Sequence, residues 1–257
     1  MKAPFSLRKI SIFLLIFYST LFSQINGDLK VALIRISFPV DAYLGISGNG
    51  DYLYDSYIDQ CGEYTIDPPP HDKNYFKSHL EAVNNYYRSV SNGKFGLDLR
   101  ASKIFPSEDQ SSYKLEQKMN YYNEIDMDNV HEKRITELLK DAATKAYEID
   151  KIDYNEFDLI IIVHPGVGQD FSLPFLDPTP EDIPSTYIDT GMVVKHLGGP
   201  IKFKNSSILN GIVIPETQNH LFYKSALFDQ MTNPCDAQYS LTGTLSMMIG
   251  FSIGLRP

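Results

Sequence analysis

The chain has 257 residues, 43% hydrophobic and 21% charged, with 16 Gly and 15 Pro. That composition fills a substantial core and excludes disordered, collagen-like and coiled-coil classes. The formal charge is −9; without the basic residues Lys2, Arg8 and Lys9 of an N-terminal leader, 20 basic residues face 32 acidic ones, a net −12, so nucleic acid is a poor partner.

The leader has the order of an export signal. Its basic residues precede an apolar run from Ile10 to Leu21, followed by small and polar residues up to Gly27. The run is roughly twelve residues, short of the ~20 that a spanning helix needs. Residues 1–27 are therefore expected to be a signal peptide cut between Ser23 and Asp28, and residues 28–257 a secreted domain. The strongest later apolar run, Leu159 to Val163, stops at His164, so no stable membrane span is expected. Cys61 and Cys235 can form one bridge in an oxidising compartment or remain two thiols.

Val31 to Phe38 is a continuous apolar run that ends in alternation and stops at Pro39, the pattern of a buried strand. Asp41 to Pro70, rich in Gly, Asp, Tyr and Pro, reads as surface loop. Its tyrosines, Tyr43, Tyr52, Tyr54, Tyr57 and Tyr64, either pack on the sheet or stack on sugars or peptides. Asn74 to Ser89 has apolar residues at helical spacing and ends at Ser91-Asn92-Gly93. Phe95 to Arg100 alternates, predicting a strand with one wet face that runs on toward Pro106. Asn129 is placed to cap a long helix from Val130 to Ile149. Asp158 to Val163 is a central-strand signature, with a loop expected after Pro165. Pro174 to Pro184 reads as a surface excursion. Ile208 to Ile214 reads as a last strand ended by Pro215, and Leu241 to Leu255 as a helix capped by Thr242. The order predicts an α/β fold with a mixed sheet and backing helices.

Among the common motifs, the chain contains no Gly-x-Ser-x-Gly elbow, no phosphate loop ending Gly-Lys-Ser/Thr and no Cys-x-x-Cys. The segments Val31 to Asp41, Tyr86 to Phe95, Phe157 to Gly166 and Leu241-Thr242-Gly243-Thr244-Leu245, taken together, resemble the catalytic domain of the immune inhibitor A-type family of secreted zinc metallopeptidases. The resemblance spans essentially the whole of residues 28–257. It implies a zincin-like fold in which a twisted mixed sheet and a backing helix lead into an active-site helix carrying His-Glu-x-x-His. It also implies a lower subdomain beyond that helix, so this chain would be truncated at its C-terminal side.

The zinc helix itself departs from the family pattern. Alignment of Gly243 to Ser246 and Gly250 puts Met247 at the first histidine, Met248 at the glutamate and Phe251 at the second histidine. Zinc peptidase chemistry needs two imidazoles at i and i+4 and a carboxylate to deprotonate the bound water. Thioethers and a phenyl ring supply none of these, so no zinc is expected and Met247 and Phe251 are expected to be core.

Other side chains are candidate substitutes for the missing ligands. His164, at the end of the central strand beside Asp170, is the best polar ligand candidate, because strand ends of open α/β sheets face ligand crevices. His71, His79, His131, His196 and His220 lack metal spacing and are expected at the surface. Asp126, Asp128 and Asn129 offer oxygens for calcium, but without the glycine and terminal glutamate of an EF-hand. Three functional classes follow: a catalytically degenerate metallopeptidase-family domain that binds protein or peptide ligands, an active hydrolase using other residues, or a structural module.

Overall fold

A computed structural model of the chain describes residues 26–55, 61–123, 130–170, 178–223 and 234–255. The leader run, Tyr57, the Asp126 to Asn129 cluster with its helix-cap role, and the first part of the proline-rich excursion lie outside the described residues.

The core is a mixed sheet with helices on both faces. Strand β1 (Gly27–Leu29) pairs in parallel with β3 (Phe95–Leu97). The main sheet is formed by β2 (Val31–Ser37), β4 (Lys103–Phe105), β6 (Leu159–Val167), β7 (Thr186–Ile188) and β10 (Gly211–Thr217), in the order β4-β2-β6-β10-β7. The first four in this order run parallel, while β7 is antiparallel to β10 at the edge. A short β5 (Tyr113–Lys114) extends β2, and β8 (Ile201–Lys202) pairs with β9 (Ser207–Ile208) as a separate ribbon. The described residues also form four α-helices: α1 (Lys73–Val90), α2 (His131–Asp150), α3 (Thr190–Leu197) and α4 (Leu241–Ser252).

Alternate residues of the central strands serve opposite layers. Ala32, Ile34, Ile160, Ile162 and Val213 pack with Ile135, Leu138, Leu139 and Ala142 of α2. Val31, Leu33, Ile161, Val163, Ile212 and Ile214 pack with Phe76, Leu80 and Val83 of α1 and with Leu245, Met248 and Ile249 of α4. This is why β2 and β6 are written as near-continuous aliphatic runs.

Several boundaries differ from the sequence expectation for local reasons. The strand begun at Phe95 is buried throughout and stops at Leu97, because the Asp98 carboxylate accepts hydrogen bonds from Arg100 N and Ala101 N, both at 3.1 Å, and turns the chain. It resumes as β4 beside a different partner. No loop follows Pro165; β6 continues to Val167. Pro215 does not end β10. It lies opposite His164, beyond the last residue paired with β7, where a missing N–H breaks no ladder. The Ile208 to Ile214 segment is two strands. Glu181, Asp182 and Ile183 of the proline-rich excursion are buried, with Asp182 Oδ1 accepting from Ser47 N at 2.7 Å and Ser47 Oγ at 2.9 Å.

Helix ends follow capping chemistry. Asp72 caps α1 by accepting from Asn74 N and Tyr75 N. At its other end, Gly96 lets β3 pass so close that an added Cβ would lie 2.6 Å from both Arg88 Nε and Asn84 Oδ1. Ser240, not Thr242, caps α4, accepting from Thr242 N at 3.2 Å.

Cys61 and Cys235 form a disulfide closing 174 residues, with Cα atoms 5.8 Å apart. It ties the early loop to the segment preceding α4. Gln238 adds to this junction, accepting from Ile66 N at 2.8 Å and donating to Tyr64 O at 3.2 Å. In the chain-entropy account so long a loop stabilises by up to about 5 kcal/mol. Reduction should therefore lower the thermal midpoint and the urea midpoint markedly, and a Cys61→Ser/Cys235→Ser double variant should match the reduced protein; equal midpoints with and without reductant would remove the bridge from the stability account.

Candidate functional site

The terminal helix α4 carries no charged residue. Its inner side, with Leu241, Leu245, Met248 and Ile249, is buried against β10, β7 and α1. Its outer side is open. Met247 is 48% exposed and Phe251 is half-buried, which corrects the expectation that both are core. Of Met247, Met248 and Phe251, only Met248 is buried.

Met247 and Phe251 line a groove of about 570 Å³ between α4 and α1. Its other walls are Tyr86, Tyr87 and Val90 of α1, and its floor is lowered by Gly243 and Gly250. Tyr87 fixes the two helices together by donating from its hydroxyl to Ser246 O at 2.7 Å. Among the described residues no charged side chain lines the groove. Thr242 stands at one end of it and also borders a second cleft of about 530 Å³, lined by Asp67, Tyr75, Ser78 and His79.

Around Thr242 three segments meet. His79 of α1 is buried, and its Nδ1 lies 2.7 Å from Thr242 Oγ1. Its Nε2 lies 3.8 Å from Asp67 Oδ2. Asp67 also accepts from Leu241 N at 2.8 Å and from Ser240 Oγ at 3.3 Å, so it holds the first turn of α4. Its backbone is left-handed, φ 53°, a conformation that Asp tolerates better than most residues. Burial depresses the His79 pKa below the ordinary imidazole value; the attraction of Asp67 opposes this and the neighbouring His71 adds to it. Burial dominates, so His79 is neutral at pH 7.

A second buried network lies behind this one. His71 is fully enclosed, with Nδ1 3.7 Å from Glu216 Oε2, and stacks on Tyr75 with ring centroids 4.3 Å apart. Glu216 accepts from the Tyr223 hydroxyl and from Leu53 N at 3.3 Å. His71, His79 and His220 are thus interior residues, correcting their expected surface placement. Their spacing gave no sign of it, since burial here comes from loops folding over the end of α1.

His164 and Asp170 are each engaged by different groups. The His164 ring is fully buried, with Nδ1 2.9 Å from Pro165 O, and Nε2 has no hydrogen-bond partner among the described residues. Asp170 is occupied elsewhere, accepting from Ser185 N at 2.6 Å, from Ser185 Oγ and from Gln218 Nε2. It pins the chain after β6 to β10. Among the described residues no group of three or more His, Cys, Asp or Glu is arranged to hold a metal ion. Arg35, which sequence reasoning passed over, is also fully buried and donates to Asp109 O, Pro106 O and Glu108 O at 2.5 to 2.7 Å. It organises the loop before β5 and has no access to either cleft. Tyr52 packs inside the sheet layer and donates to Val163 O at 2.6 Å, while Tyr64 is exposed.

No protein-family model, curated protein or solved structure matches the chain.

Two predictions follow from burial. Met248→Ala should destabilise by about 2 to 5 kcal/mol as a core truncation, and Met247→Ala by under about 1 kcal/mol, read from urea midpoints; equal effects would mean that the two faces of α4 are assigned wrongly. Burial also pushes the His164 pKa down to about 4. Its unfolded value is higher, so this contribution is complete above pH ~6.5 and is lost as pH falls toward 4, by up to about 3 kcal/mol. The non-titrating His164→Asn variant should show a smaller loss of stability over that interval than the wild type; identical acid limbs would refute the assignment.

Proposed function

We propose that this chain is an exported, zincin-like domain of the immune inhibitor A type that has lost zinc peptidase chemistry and uses the groove between α1 and α4 to hold an uncharged, apolar segment of a peptide or protein. The observation that carries this reading is the outer face of α4. Where the family places its metal ligands, a thioether and a phenyl ring sit on the wall of an uncharged, solvent-open groove. A thioether is a soft neutral ligand poorly suited to Zn²⁺, and phenyl has no lone pair. The same two side chains suit apolar contact.

The sheet with helices on both faces and a last helix packed on it supports the zincin-like part of the reading. Export is supported by the order of the leader and by the Cys61–Cys235 disulfide, since such bonds persist in oxidising compartments. Strand β1 begins at Gly27, whose N–H donates to Lys94 O at 2.9 Å. A mature chain that keeps β1 is therefore cut at or before Asn26, which narrows the expected zone. No helix among the described residues is long and apolar enough to cross a membrane.

The test pairs metal analysis with binding. Protein purified without chelator should carry substoichiometric zinc, and a fluorophore-labelled, uncharged peptide rich in Leu and Phe should bind. Met247→Arg, which puts a charge on the groove wall, should weaken that binding about tenfold or more. One zinc per chain with chelator-sensitive peptide cleavage would overturn the proposal.

A further inference from the structure

We propose that Thr242, His79 and Asp67 form a hydroxyl–imidazole–carboxylate relay that hydrolyses esters whose apolar acyl chain lies in the α1–α4 groove. The acyl-chain part rests on the groove reading above; the relay part does not.

Three observations converge on Thr242. First, its hydroxyl is not used to cap α4, because Ser240 and Asp67 already accept from the first two N–H groups of the helix. It is directed at His79 Nδ1, 2.7 Å away. Second, a carboxylate lies on the far side of the same ring, with Asp67 Oδ2 3.8 Å from Nε2. With the imidazole proton on Nε2, Nδ1 is free to accept from the hydroxyl, and the Asp67 carboxylate, beyond hydrogen-bond reach in this structure, faces the N–H side of the ring where closer approach would orient it, as in hydroxyl-based acyl transfer. Third, Thr242 is the residue shared by the polar cleft and the uncharged groove. An ester carbonyl placed at Thr242 would have its acyl chain beside Met247 and Phe251 and its alcohol toward Ser78 and Asp72.

The chemistry balances without a cofactor. Thr242 Oγ1 attacks the ester carbonyl carbon as its proton passes to His79 Nδ1. The tetrahedral intermediate expels the alkoxide, which takes that proton and leaves as the alcohol, so an acyl-threonine ester remains. Water then attacks the acyl carbon, His79 takes its proton, and Thr242 Oγ1 departs, recovering the proton as the carboxylic acid is released. Thr242 and His79 are the catalytic residues. Asp67 is a positioning residue, acting through the ring. A neutral His79 is the form the first step requires, and the groups facing it are Asp67, His71 and the Tyr75 ring, whose centroid is 4.4 Å away.

The probes are the p-nitrophenyl esters of acetate and octanoate, with the full mature chain. Hydrolysis should exceed buffer, favour octanoate, and leave an octanoyl adduct on Thr242 detectable by peptide mass spectrometry. Thr242→Val should abolish the adduct and lower kcat/KM at least ~100-fold, whereas Thr242→Ser should retain activity. Asp67→Asn should lower kcat and move the acid limb of the pH–rate profile to lower pH, because the carboxylate no longer favours the imidazolium; a merely structural Asp67 would lower the melting temperature and leave that limb in place. No hydrolysis above buffer by wild type, or equal rates for wild type and a folded Thr242→Val, overturns the relay. Binding of the apolar peptide without hydrolysis leaves the groove reading standing and sinks the relay. Hydrolysis dependent on Thr242 but indifferent to chain length and to Met247→Arg overturns the acyl-groove assignment and keeps the relay.

Discussion

The constraint on which the rest depends is that β2, β6 and β10 are buried on both faces. A parallel strand of this kind exposes two apolar surfaces, and each needs its own helical cover. On one side α2 does most of this work with a stripe of Ile, Leu and Ala. On the other, α1 covers only part of the sheet, and α4 lies over β10 and the edge strand β7. Removing α4 would leave Ile212 and Ile214 open to water. The helix is therefore held in place by its inner face whatever its outer face does.

That separation means that the outer side of α4 can change chemistry without the fold losing the helix. Met247 and Phe251 line the groove on the outer side, with Phe251 also packed against the edge of the inner cluster. Met248 lies inside, where a flexible thioether fills space between Leu245 and the sheet. A glutamate there would sit in an apolar layer at considerable desolvation cost unless a metal-bound water gave it a partner. The side chains of α4 thus serve packing on one side and present apolar contact surface on the other.

Much of the architecture is legible along the chain. The aliphatic run at Val31 and the amphipathic period of α1 and α2 appear within a residue or two of their observed limits, whereas β6 runs four residues past its expected end and the terminal helix stops three short of its own. The breaks are less legible, because they depend on short-range side-chain chemistry or on which strand stands alongside. Asp98 ends β3 through an Asx turn, and Pro215 is tolerated because β7 is too short to need its N–H. The site was least legible. His79 and Thr242 are 163 residues apart, and neither carries a motif; spacing along one helix cannot reveal a contact made between two. Asp67 is equally hidden in a loop of prolines, and only the fold brings it onto the start of α4.

The bridge between Cys61 and Cys235 has a consequence for how the chain is made. Its second cysteine follows all ten strands of the described residues, so the early loop must wait until residue 235 has been made before it can be fastened. Strand β10 adds to the delay, since it stands between β6 and β7 and is synthesised after both. Until those late segments emerge, one edge of β6 is unpaired and Cys61 is an unprotected thiol, open to mixed disulfides with small thiols or with another nascent copy. Biogenesis of this protein is then a race between emergence of β10 and Cys235 and capture of an exposed strand edge and a reactive sulfur, and it places the demand for chaperones and thiol-exchange catalysts on the segments made before them.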